Sequence, residues 1–84
     1  MSIYVDEKEA TAAYNEGVKI GETQPSEETE GYWWEVFMTP NGPIACAMTE
    51  CGVSYGERIT EDEFHLYIDD TATAKAILTL NVKY

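Results

Sequence analysis

The sequence predicts a small α+β domain, an antiparallel sheet of about four strands with an N-terminal helix packed on one face. An acid-capped helix signal opens the chain, and an aromatic segment meets a Pro-Asn-Gly-Pro turn as half of a hairpin. The C-terminal run alternates apolar and polar side chains as a half-buried strand does. At 84 residues there is room for one core, since domains run to roughly 100–150 residues. With 44% hydrophobic and 12% aromatic residues the chain is too apolar for a disordered acidic tail, so the whole of 1–84 is read as one folded unit.

The elements follow in order. Asp6 with Glu9 three residues on has capping spacing, and acids suit the positive end of a helix. Ala10, Ala13, Tyr14, Gly17 and Val18 fall on one helical face, and Gly21 and Pro25 stop the run, which gives a helix over about 7–19. Residues 22–31 read as an acidic loop, and 32–84 as β-rich. Tyr32 to Thr39 is a strand, Pro40-Asn41-Gly42-Pro43 its turn, and Ile44 to Glu50 the returning partner. Its even positions (Tyr32, Trp34, Val36, Met38) are assigned to the core, leaving Trp33 and Phe37 beside Glu35 either exposed or under a second layer. Residues 60–70 carry two signals: a capping box at Thr60–Glu63 with Phe64, Tyr67 and Ile68 at helical spacing, and strand-like alternation of Phe64, Leu66 and Ile68. The strand is preferred. The alternation of 77–84 predicts a last strand, with 71–76 open to a helical turn capped by Asp69 or Asp70. No internal repeat stands out.

Charge is the most informative quantity. Sixteen acids against five bases give a net charge of −11. Residues 6–30 hold eight acids and two lysines, and 57–70 hold six acids and Arg58; between them 31–56 hold only Glu35 and Glu50. Such a surface repels polyanions, so neither nucleic acid nor an anionic membrane is expected as a direct partner. No basic leader and no run of ~20 apolar residues is present, which predicts a cytoplasmic protein.

Catalytic constellations are weak. His65 is the single imidazole, and with Cys46 or Cys51 and Asp69 it would make a thiol–base–orienter set, but no signature surrounds either cysteine. Cys46-x4-Cys51 with His65 is loose for zinc, no twelve-residue stretch fits a calcium loop, and no glycine-rich phosphate cradle occurs. No catalytic residue, metal or cofactor is assigned, and a non-enzymatic role is expected. Two cysteines are few for a disulfide scaffold, so free thiols are expected; along one strand they would sit about 16 Å apart, too far for a disulfide, while a turn between them would reopen that pairing.

A positive partner surface is the natural complement. The net charge exceeds the ~2–8 usual for a small soluble domain, and clustered acids cost stability through self-repulsion. Carboxylates spaced ~5–6 Å on a helix can stand in for phosphates, and Lys and Arg of a nucleic-acid site would pair with them. In size and charge density the chain is similar to small acidic phage proteins that block host defence or DNA-handling enzymes, anti-CRISPR and anti-restriction DNA mimics among them. These share no diagnostic motif, and no residue is carried over. The expectation is an inhibitor that engages a basic, nucleic-acid-binding surface of a larger protein. Glu27, Glu28, Glu30, Glu61, Asp62, Glu63, Asp69 and Asp70 would supply charge, with Trp33 and Phe37 as anchors. The alternative is an assembly module that forms a homodimer or docks on a scaffold.

Overall fold

In the computed structural model, which describes residues 3–23 and 30–81, five antiparallel strands form one sheet in the order β1-β5-β4-β3-β2. The strands are β1 (Ile3–Val5), β2 (Val18–Glu22), β3 (Trp33–Thr39), β4 (Gly42–Thr49) and β5 (Gly52–Arg58). Helix α1 (Glu7–Glu16) crosses from β1 to β2, the opposite edges of the sheet. A 3-10 helix (Glu61–Leu66) and helix α2 (Thr71–Asn81) follow β5.

Helix α1 forms as expected at its start: the Asp6 carboxylate accepts the Glu9 N–H at 2.9 Å. It ends at Gly17, earlier than the expected 19, because Val18 opens β2, opposite Met38 of β3. Its buried residues, Ala10 and Ala13, are small, and the strand beneath is small as well. A Cβ on Gly56 of β5 would lie 3.0 Å from the Ala10 Cβ, so this pair sets how closely helix and sheet approach.

Two hairpins share one turn chemistry. Thr39-Pro40-Asn41-Gly42 and Thr49-Glu50-Cys51-Gly52 each close a strand pair, with Thr opposite Gly in the register. Gly42 and Gly52 take positive φ (110° and 111°), a conformation that favours glycine. In each turn the Thr hydroxyl donates to the Gly carbonyl and accepts the N–H two residues on. A short Thr-x-x-Gly repeat is therefore present in the chain, and its second copy marks a strand, β5, that the sequence reading lacks.

The C-terminal third corrects the expected strands. Residues 61–66 are 3-10 helical, and the capping box decides it: the Glu63 carboxylate accepts the Thr60 N–H at 2.9 Å. Phe64, Tyr67 and Ile68 are buried, whereas Leu66, which alternation would bury, is 59% exposed. Residues 71–81 are helix, not strand, and 82–84 lie outside the described residues. Asp70 accepts the Thr73 N–H at 2.9 Å and caps it. The alternation misled because alanines carried much of it. An alanine fits any face and favours helix, and here Ala74 and Ile77 face the core at helical spacing.

The sheet is consequently covered on both faces. Ala10 and Ala13 of α1 pack on Phe37, Ile44, Cys46 and Met48. On the other face Phe64, Tyr67, Ile68 and Ala74 pack on Ile20, Val36, Ala45 and Ile59. The α+β class with an N-terminal helix packed on one face of an antiparallel sheet holds, and the 3-10 helix and α2 add a layer on the other face. Among the described residues no helix is long and apolar enough to cross a membrane.

Candidate functional site

The expected anchors do not stand at the surface together. Phe37 is 4% exposed, wedged between β3 and α1 with its ring edge-on to Tyr14 at 5.5 Å, so it is a core residue and not an available anchor. Trp33 is half-buried on the same face, and its indole N–H donates to Glu35 at 2.7 Å. Glu35 also faces Lys19 at 3.5 Å, and Lys19 pairs with Glu22, which holds its ammonium above the ordinary lysine value.

The acids expected at the interface divide. Glu27 and Glu28 lie outside the described residues. Glu30 is exposed with φ 56°, next to Gly31 at φ 89°, where the chain turns into β3. Glu61 and Asp62 are exposed on the 3-10 helix, and Asp69 and Asp70 are exposed where α2 begins. Two of this group have structural duties: the Thr60 N–H holds Glu63 below its ordinary value, and the Thr73 hydroxyl, then its N–H, does the same for Asp70. Further exposed acids are Asp6, which caps α1, and Glu7 and Glu16 on the helix. Arg58 is committed to an ion pair with Glu9 and donates to the Asn41 carbonyl at 3.1 Å, pinning α1 to the first hairpin turn.

The most distinctive surface is aromatic and lies on the face opposite α1. Tyr4 of β1 stacks on Tyr55 of β5 with ring centres 5.7 Å apart. Tyr55 meets Trp34 of β3 edge-on at 5.9 Å, and Trp34 meets Tyr67 edge-on at 4.8 Å. Trp34 and Tyr55 come from strands separated by β4, about 9–10 Å apart in backbone spacing. Their rings meet because the β4 residue paired with both is Ala47. The row runs from buried to open: Tyr67 is buried, Trp34 and Tyr55 half-buried, and Tyr4 68% exposed. A carboxylate also shares this face. Glu57 stands opposite Tyr4 in the β1–β5 register and accepts the Tyr67 hydroxyl at 2.5 Å. Burial first, then Glu57, Tyr4 and Tyr32, push the Tyr55 hydroxyl above its ordinary value.

Of the even-numbered residues assigned to the core, Val36 is buried and Trp34 and Met38 pack against its cluster, whereas Tyr32 is exposed; Tyr4 and Tyr55 carry no assignment from the sequence. The available signal was tyrosine itself: six tyrosines against two phenylalanines favour amphipathic ring surface over plain core. What hid it was β1, three residues long, which no alternation could reveal.

The catalytic sets weighed from the sequence are not assembled. Cys46 is buried, its thiol donating to the Ala10 carbonyl at 3.4 Å, and burial followed by Glu35 pushes it up to about 12. Cys51 lies in the exposed second turn, both cysteines are free, and His65 is exposed. Among the described residues no group of three His, Cys, Asp or Glu could hold a metal ion. A cleft of about 170 Å³ lies between α1 and the first hairpin turn, lined by Glu9, Ala13, Glu16, Thr39 and Asn41 among others. That is below the roughly 300–1,000 Å³ of a small-molecule site. Comparison with known protein families, curated proteins and solved structures returns no match.

Proposed function

We propose that this domain is a non-enzymatic inhibitor that occupies a basic, nucleic-acid-binding surface of a larger protein in the cytoplasm, its carboxylates standing where phosphates would otherwise sit. The observation that carries the reading is the charge surplus of −11 together with its placement. Exposed acids occur on α1, on the 3-10 helix and at the start of α2, while Lys19 and Arg58 are already committed to ion pairs with Glu22, Glu35 and Glu9. A duplex presents one charge per ~1.7 Å of axis, and dense carboxylates are the side-chain chemistry closest to that.

The test is capture of partners from nuclease-treated bacterial lysate on the tagged domain, with elution by a DNA duplex rather than by salt. A nucleic-acid-handling protein released by the duplex supports the reading. Partners that ignore the duplex, or bait alone, contradict it. A second reading, an assembly module, is favoured by one observation: β1 is a short edge strand carrying the exposed Tyr4. It predicts self-association that rises with concentration and persists in high salt, readable by sedimentation.

A further inference from the structure

We infer that the open end of the aromatic row, Tyr4 of β1 and Tyr55 of β5 with Glu57 on the same face of β5, is a docking surface, and that it takes an arginine side chain from a basic segment of the partner. The inference rests on the basic-partner reading and assigns it a place and a chemistry.

Tyr4 presents a ring that is 68% exposed, stacked at 5.7 Å on a second ring that is half-buried and held edge-on by Trp34. Such a stack is preorganised, because Tyr55 is fixed by neighbours on two sides before any ligand arrives. A guanidinium laid on the outer ring gains from the negative face of the π-system, and arginine does so better than lysine because its plane matches the ring. Glu57, opposite Tyr4 on the same face, supplies the counter-charge, and the Tyr67 hydroxyl orients its carboxylate. Charge selects among the occupants that an aromatic platform would accept. A single-stranded nucleic acid could stack its bases here, but its phosphates would meet a chain of net charge −11. A second copy brings the same −11 and repels the first. A cationic side chain meets neither objection.

The experiment is an NMR titration of the 15N-labelled domain with the acetylated peptide Arg-Gly-Arg-Gly-Arg and its lysine counterpart, at physiological salt. The expected shifts centre on Tyr4, Tyr55, Glu57 and the Trp34 indole, with the arginine peptide binding more tightly. Tyr4→Ala, at a position 68% exposed, weakens the arginine peptide about two- to fivefold. Glu57→Gln weakens it as well, whereas Glu16→Gln on α1 removes the same charge with a smaller effect. Shifts centred on α1 or the 3-10 helix, an unchanged affinity in Tyr4→Ala, or equal binding of the two peptides overturns the inference. Each failure is separable from that of the inhibitor reading. A peptide seated away from Tyr4 leaves the DNA competition of captured partners untouched, and partners indifferent to DNA leave the peptide map untouched.

Discussion

The two cysteines share a side chain and differ in everything that governs its reactivity. Cys46 sits under α1 with its thiol on the Ala10 carbonyl and is pushed up to about 12, while Cys51 lies in an exposed turn. Thiolate, not thiol, is the reacting species. Ellman's reagent at pH 8 should therefore modify one thiol of the native domain quickly and the second only on unfolding, and two fast thiols would contradict the packing of α1. Linkage gives the sign with pH. A thiol raised in the folded state adds stability that is complete below about 8.5, the unfolded value, and is lost as pH climbs toward the folded one. The capping carboxylates act at the other end of the scale. Glu63 and Asp70 are held below their ordinary values, so their contribution is present at neutral pH and fades as pH falls below about 4. Asp70→Asn should flatten that acid limb in chemical denaturation, and an acid limb of unchanged shape would contradict Asp70's role as the α2 cap.

At the scale of elements, the structure depends on close approach and on caps more than on bulky periodicity. Helix α1 lies on the sheet through Ala10 over Gly56, so Gly56→Val should force helix and strand apart and cost about 1–3 kcal/mol. Phe64 anchors the opposite layer and is fully buried, so Phe64→Ala should cost about 3–5 kcal/mol in denaturant unfolding. Equal small losses at both positions would mean that the two layers are not packed as described. This balance explains what was legible in the sequence. The α1 cap, the first hairpin and its turn, and the capping box at Thr60–Glu63 were readable because each is a local hydrogen-bonding pattern with fixed spacing. The C-terminal helix was not, because alternating alanine and threonine suit a strand pattern and a helix alike, and Asp70 decides between them. Strands β1 and β2 run to only three and five residues, too short for periodicity to speak. The aromatic row was hidden with them. It joins residues 4, 34, 55 and 67, and only the strand order brings these together.

For the whole molecule, charge and fold pull against each other. A net charge of −11 on one small domain stores self-repulsion that the two packed layers must outweigh. Added salt shortens the screening length from about 10 Å at 0.1 M toward 3 Å at 1 M. The midpoint of thermal unfolding should therefore rise with sodium chloride over that range, and a flat response would mean that the acids are too dispersed to repel. The same salt should loosen any complex with a basic partner, so stability and binding are expected to move in opposite directions. The most direct test of the proposed role follows the fluorescence anisotropy of a labelled DNA duplex bound to the captured partner as the domain is added. The proposal predicts that the anisotropy falls to that of free duplex near one equivalent of domain. An anisotropy that holds steady, or rises as a ternary complex forms, would show that the domain leaves the nucleic-acid surface open and would contradict the inhibitor reading.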